Sequence, residues 1–290
     1  MDLRQLRYFT AVAEELHFGR AAARVGIAQP PLTQQIQKLE AELGCRLLVR
    51  GRKTVLTPAG SALLDQARRI LQQSDQAMEI TRRAARGESG ELTVGAPPSI
   101  MLSALPAIIR RYRSQFPGVR FTLRELSTSA IEKALRAGEI DLGFLRETRP
   151  EPPLAFEPVL EERVVVALPA SHRHVRGGKL QLEALAADPF VFFPRRLGPA
   201  FYDKLISFCA AAGFVPDVSQ EATQWPSIVC LVAAGMGISL APGCIQRFRR
   251  TGVVYRPLKG LRTTVSACWD PQAHSATAAA FLKHARAGFV

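Results

Sequence analysis

The sequence lacks the marks of an exported or membrane-bound chain. Its first fifteen residues carry Arg4, Arg7, Glu14 and Glu15 and no apolar run of the kind a signal peptide needs. The most apolar stretch, residues 228–242, is too short to span a bilayer and is broken by Gly235 and Gly237. A cytoplasmic protein is the expectation. Cysteine is scarce: Cys45, Cys209, Cys230, Cys244 and Cys268 are an odd set at wide spacing with no CxxC pair. That fits neither a disulfide framework nor a zinc site, so buried structural thiols are expected, with a redox pair the open alternative. Catalytic signatures are missing too. There is no HExxH, GxSxG or Walker loop. Gly235-Met236-Gly237 follows a helical pattern and precedes a strand, the reverse of a dinucleotide-binding turn. His172 and His174 flank Arg173 in a polar segment with no further ligand at metal-site spacing, which reads as a solvated loop.

What is present is length, apolar content and positive charge. The 290 residues are 47% hydrophobic and 22% charged, enough for two domains with sizeable cores. The formal charge is +13, with 14 basic and 9 acidic residues in positions 1–90 and a net +8 in the rest. A cationic excess favours polyanions through phosphate attraction and counterion release. Charge alone is weak, because most of it lies outside the N-terminal segment; the pattern there must carry the case.

A first helix is expected over residues 2–16, where Leu3, Leu6, Phe9, Val12, Ala13 and Leu16 form one stripe. A short second helix covers 18–25 and stops at Gly26. The third starts near Pro30-Pro31, has Ile27, Leu32, Ile36, Leu39 and Leu43 as its inner stripe, and stops at Gly44. Residues 45–56 read as two short strands around Arg50-Gly51-Arg52-Lys53. Two helices, a tight turn and a basic hairpin make a winged helix-turn-helix. Thr33, Gln34, Gln37 and Lys38 occupy the outer face of the third helix, where they can bond base edges or phosphates. Gln29, Pro30 and Pro31 stand at its start, where free N–H groups suit a phosphate. Arg50, Arg52 and Lys53 would hold phosphates from the wing. Any one of these polar residues would also fit a solvated helix face; the set is more specific than its members. A long helix then runs to about Arg86. Gly60, Leu64, Ala67, Leu71, Ser74, Met78, Thr81 and Ala85 alternate by four and three, a seam suited to dimerisation or to packing on its own domain. Residues 86–90 read as a hinge.

Beyond the hinge the pattern becomes α/β. Strands at 91–96, 119–125 and 140–145 alternate with helices at 100–115 and 129–137. A second unit is suggested by strands at 164–168, 215–221 and 238–241 and helices at 200–212 and 226–234. A strand at 263–269 returns to the first unit, before a helix at 273–287. Two lobes joined by crossing strands leave a ligand cleft between them. Ser99, Thr128 and Phe201 each fall near an expected helix N-terminus. Two hydroxyls beside free N–H groups suit an anion, or they are plain helix caps. Arg146, just past a strand, could pair with a carboxylate or form a surface salt bridge.

The runs Phe18-Gly19-Arg20-Ala21-Ala22, Gln29-Pro30-Pro31-Leu32-Thr33 and Ile36-Gln37-Lys38-Leu39-Glu40 resemble the LysR-type transcriptional regulators. So do Leu47-Leu48-Val49-Arg50 and Leu56-Thr57-Pro58-Ala59-Gly60. Ile140-Asp141-Leu142-Gly143-Phe144 and Val232-Ala233-Ala234-Gly235-Met236-Gly237-Ile238 are similar to that family's effector-domain signatures. Pro30-Pro31 departs from the family's common Pro-Ala or Pro-Ser and suits a helix start. The resemblance implies a winged helix-turn-helix (1–58), a linker helix with hinge (59–90) and a periplasmic-binding-protein-like effector domain (91–290). Lobe 1 of that domain would be 91–161 with 266–290, and lobe 2 would be 162–265. It further implies a homodimer or homotetramer, promoter DNA and RNA polymerase as partners, no cofactor, and an inducer that changes how DNA is held. Relatives that sense aromatic-pathway carboxylates hold them with a Ser and a Thr at the positions of Ser99 and Thr128. Pro98, Ile100, Pro199 and Phe201 would then form the apolar wall around an aromatic or dicarboxylic acid. A solute-binding protein and an enzyme on the same scaffold are the competing readings; the helix-turn-helix argues against the first and the missing nucleophile–base motif against the second.

Overall fold

In a computed structural model of the chain, residues 1–51, 54–273 and 275–289 are described. They form two compact units, Met1–Arg82 and Arg83–Val290.

The first unit packs α1 (Leu3–Glu15), α2 (Phe18–Arg24), α3 (Gln29–Leu43) and the start of α4 (Pro58–Ala85) around one core. Asp2 begins α1 with a reciprocal cap: its carboxylate accepts from the Gln5 amide at 2.7 Å while Gln5 accepts from the Asp2 amide. Gly26 and Gly44 take φ of 73° and 65°, the left-handed backbone that ends α2 and α3. Phe9, Val12, Leu32, Ile36 and Leu39 are fully buried, so the stripes of α1 and α3 meet. Leu43 is not part of that stripe. It lies in the last turn of α3 and is 40% exposed. Two-residue strands β1 (Leu48–Val49) and β2 (Val55–Leu56) pair antiparallel and form the wing.

The expected seam of α4 divides. Gly60, Leu64 and Ala67 are buried in the first unit's own core and Leu71 packs partly against it. Met78, Thr81 and Ala85 are exposed. Half of the seam is therefore intramolecular.

The second unit holds a six-stranded sheet in the order β4-β3-β5-β10-β6-β9 and a two-stranded sheet β7-β8. β3 (Ser89–Ala96) pairs parallel with β4 (Gly118–Glu125) and β5 (Leu142–Arg146). The long strands β6 (Ala155–Pro169) and β10 (Val253–Trp269) run antiparallel to each other, and β9 (Ser239–Pro242) closes the other edge. β7 (Pro189–Phe192) and β8 (Asp217–Glu221) are parallel. Helices α5 (Pro98–Met101), α6 (Leu105–Gln115), α7 (Thr128–Arg136) and α10 (Ala276–Gly288) flank β3–β5. The helices α8 (Pro199–Ala211) and α9 (Trp225–Ala233) belong to the other lobe. Each lobe has its own core, one around Tyr112, Phe144 and Phe281, the other around Phe190, Phe192 and Leu205.

Three sequence expectations are corrected here. The helix expected over 100–115 is two helices, because Pro106 cannot donate to Leu102 and its ring crowds that carbonyl. β3 begins at Ser89, so the hinge shortens to 86–88. Of the five thiols, Cys209 and Cys268 are buried and Cys244 is half-buried, but Cys45 and Cys230 are exposed. Among the described residues no helix is long and apolar enough to cross a membrane.

Candidate functional site

On the first unit, α3 buries Leu32, Ile36 and Leu39 and turns the opposite face outward. That outward face carries Pro30, Gln34, Gln37 and Lys38, all exposed, with Thr33 half-buried at its side. Gln29 and Pro31 are exposed at the helix start, which Ala28 caps without a side-chain bond. Pro30 and Pro31 carry no N–H and the Leu32 amide bonds the Ala28 carbonyl at 3.4 Å, so among the described residues the Gln29 amide is the one first-turn donor left for an external acceptor, not the several N–H groups expected from the sequence. Arg50 leaves the wing strand with its guanidinium 4.9 Å from the Phe18 ring centroid and 3.9 Å from the Glu40 carboxylate. It is partly engaged within the unit, and Arg52 and Lys53 lie outside the described residues. Glu40 also accepts the Leu47 amide at 2.8 Å, which ties the end of α3 to the wing.

The second unit contains a cleft of about 270 Å³. Its walls come from both lobes: Pro98, Ser99, Ser127, Thr128 and Arg146 on one side, Phe193, Phe201, Gln224 and Trp225 on the other. Phe193 and Phe201 stack at 5.6 Å, and Trp225 lies 5.9 Å from Phe193. Ser99 is 4% exposed and Thr128 6%. Neither hydroxyl has a protein hydrogen-bond partner among the described residues. Thr128 is not a helix cap: Ser127 caps α7, its Oγ accepting from the Ala130 amide at 3.3 Å. Ser99 is the second residue of a single helical turn, so a helix dipole contributes little there. What Ser99 offers is its hydroxyl.

Arg146 is buried, not at the surface. Its Nη2 bonds Glu162 Oε2 at 3.1 Å, Nη1 lies 3.3 Å from Thr263 Oγ1, and Nε has no partner in the described structure. The guanidinium also stands 5.3 Å from the Phe201 ring centroid. Glu162 accepts the Cys244 amide at 2.9 Å, and the Cys244 thiol donates to the Ser99 carbonyl at 3.1 Å. Burial pushes that thiol up to about 12, so it is a stable donor.

Two residues expected in the apolar wall are elsewhere. Ile100 is wholly buried in the lobe 1 core, because one helical step turns it away from the side of Ser99. Pro199 begins α8 but is not among the cleft-lining residues, whereas Phe201, two positions on, is. Among the described residues no group of His, Cys, Asp or Glu is arranged to hold a metal.

Residues 3–61 match the family described as "Bacterial regulatory helix-turn-helix protein, lysR family", and residues 85–290 match "LysR substrate binding domain". The chain belongs to the LysR family. It is a LysR-type DNA-binding transcriptional regulator with an effector-binding domain. It is 40% identical over 259 residues to the HTH-type transcriptional regulator AlsR of Bacillus subtilis (strain 168), spanning 89% of this chain and 86% of that one. The crystal structure of CbnR, a LysR family transcriptional regulator, superposes with a TM-score of 0.85 at 30% identity, covering 99% of this chain and 100% of CbnR. Full-length CbnR complexed with its target DNA gives a TM-score of 0.79 at the same identity and full coverage of both chains. These relatives are named as regulators, not enzymes. In this LysR-type chain, sequence reasoning missed Ser127, Phe193, Gln224 and Trp225. The Gln224-Trp225-Pro226 helix start is a usable signal, since proline favours the first turn; the short apolar run Phe190-Val191-Phe192-Phe193 by itself does not distinguish a cleft wall from a core strand.

Proposed function

We propose that this LysR-type regulator reads its operator with Gln34 and Gln37 of α3, with Thr33, Lys38 and the wing cations Arg50, Arg52 and Lys53 on phosphates. The exposed polar face opposite a buried stripe carries this reading. Gln37→Ala should reduce discrimination between operator and random DNA by about 1–3 kcal/mol. Fluorescence anisotropy with both DNAs over a salt series measures it. Unchanged affinity for both would remove Gln37 from the interface.

The effector is a small organic anion, an aromatic acid or a short dicarboxylate, held in the cleft by Ser99 and Thr128. The observation behind this is the pair of hydroxyls, on the buried residues Ser99 and Thr128, that line the cleft with no protein partner among the described residues, beside a buried guanidinium with an unspent Nε. An apolar cavity of about 150 Å³ accepts benzene. A cleft of about 270 Å³ therefore suits one ring with small polar substituents. Phe193, Phe201 and Trp225 supply its aromatic side. Thr128→Val keeps the shape and deletes the hydroxyl, and should weaken binding by about 1–2 kcal/mol, roughly five- to thirtyfold. The tryptophans are Trp225 and Trp269, so a Trp269→Phe background leaves Trp225 to report ligand entry. Benzoate and adipate should titrate that signal and their amides should not. Amides binding as well as the acids would end the anion reading.

Self-association is proposed through the part of α4 that its own unit leaves uncovered. Ile80 is 64% exposed and Met78 42%. Ile80→Glu should shift the oligomer toward smaller species in sedimentation velocity; an unchanged distribution would place the interface elsewhere. A homodimer or homotetramer of this kind would act on promoter DNA in the cytoplasm, with RNA polymerase as the downstream partner.

A further inference from the structure

The two lobes are joined where β6 and β10 cross, and their pairing breaks there. Pro257 pairs with Val165 and Arg262 with Arg163, so residues 258–261 stand against Val164 alone. Such a bulge bends the strand and opens the ladder. Leu258 leaves β6 to bridge with Leu180, and Gly260 takes φ of 78°. A cavity of about 660 Å³ lies at this break.

Its floor is apolar, from Leu180, Leu258 and Leu261, and its rim is cationic. Arg163, Lys179, Arg256, Lys259 and Arg262 line it and, among the described residues, no acidic side chain does. Arg256 is spent on backbone: it donates to the carbonyls of His174, Val175, Gly177 and Gly178 and holds that loop against the strand. Arg262 bonds Glu161 at 3.2 Å. Arg163, Lys179 and Lys259 have no acidic partner among the described residues. Arg163 and Arg262 are direct cross-strand neighbours, an arrangement of like charges that disfavours the sheet; Glu161 offsets Arg262 and leaves Arg163 without an acidic partner among the described residues. A concave, low-dielectric floor strengthens the field of such a rim.

We propose that the strand crossover is a second ligand site, distinct from the cleft, for an oxyanion head of more than one negative charge on an apolar tail, of which an alkyl phosphate is the simplest example. Three unpaired cations match a doubly charged head better than a single carboxylate, and the leucine floor takes the tail. The site and the cleft draw on adjacent residues of one strand. Glu162 turns to Arg146 on one face of β6, and the next residue, Arg163, turns to the opposite face.

The test is calorimetry of the full-length protein with hexyl phosphate, inorganic phosphate and hexanol. Hexyl phosphate should saturate a site at least tenfold more tightly than inorganic phosphate, and hexanol should not bind. A Lys179→Ala, Lys259→Ala double variant should lose at least tenfold in hexyl phosphate affinity. Lys283→Ala, which removes one lysine charge from an exposed position of α10, should lose nothing. Binding that survives the double variant, or that falls equally in Lys283→Ala, would overturn the site. Inorganic phosphate binding as tightly as hexyl phosphate would overturn the amphiphilic ligand. Run in a Thr128→Val background, which weakens the cleft's own hold on an organic anion, the same comparisons separate the two sites.

Discussion

Glu162→Ala should lower the unfolding free energy of the second unit by about 3–5 kcal/mol, the range for stranding one member of a buried ion pair. The side chains of Arg146 and Glu162 are 3% and 11% exposed. Without Glu162 the guanidinium stays desolvated with Thr263 as its remaining partner, and the Cys244 amide loses its acceptor. The loss exceeds the net worth of the pair, because the desolvation cost of Arg146 remains after its compensation has gone. Both tryptophans lie in this unit, so their fluorescence follows its unfolding without signal from the DNA-binding unit. With urea slopes of about 1–3 kcal/mol/M, the midpoint should fall by at least about 1 M. The neighbour Glu161 makes an exposed pair with Arg262, and Glu161→Ala should change stability by less than about 1 kcal/mol. A wild-type midpoint for Glu162→Ala would mean that water reaches Arg146. Because Cys244 also holds the Ser99 carbonyl, the variant should loosen the effector wall as well.

The residues that read correctly from sequence are those whose neighbours in space are also neighbours in the chain. The period-3.6 stripes of α1 and α3 define a buried and an exposed face without further information, which is why Gln34 and Gln37 could be placed. The parallel order of β3, β4 and β5 follows from strands alternating with helices. The failures have a common cause in long-range pairing. The first half of β6 carries Glu157, Pro158, Glu161 and Glu162, and β10 carries Pro257 and Gly260. These residues weaken a local strand signal, yet the two segments form the longest ladder in the fold because each supplies the other's hydrogen bonds. The cleft follows the same rule. Ser99 and Thr128 were found as polar residues at helix starts. Phe193 and Trp225 face them only because β6 and β10 fold one lobe over the other, and periodicity carries no trace of that. The same blindness placed Ile100 beside its sequence neighbour Ser99, when the core claims it.

Gly60→Ala should destabilise the DNA-binding unit and cost at least tenfold in operator affinity, although helix propensity alone argues the reverse. In a helix interior alanine is favoured over glycine by about 0.8–1.0 kcal/mol. Here a Cβ on Gly60 would sit 2.1 Å from the Leu47 carbonyl oxygen and 3.0 Å from its carbon. That oxygen cannot step aside cheaply. It accepts the Thr57 amide at 3.0 Å and the Thr57 hydroxyl at 3.2 Å, and Thr57 Oγ1 in turn receives the Gly60 amide at 2.9 Å. Leu47 and Leu48 are each 1% exposed, so moving the carbonyl pulls two core side chains and the first wing strand with it. Overpacking of this kind costs about 1–3 kcal/mol or more, larger than the propensity gain. The wing and the start of α4 should shift together, and Arg50 with them. The run Thr57-Pro58-Ala59-Gly60 thus has a mechanical reason: hydroxyl, helix-starting proline and missing side chain close one joint. Circular dichroism melts and anisotropy with operator DNA read the effect, while the tryptophan transition of the second unit should not move. A Gly60→Ala protein that melts higher and binds operator normally would show that propensity wins and that the joint has slack.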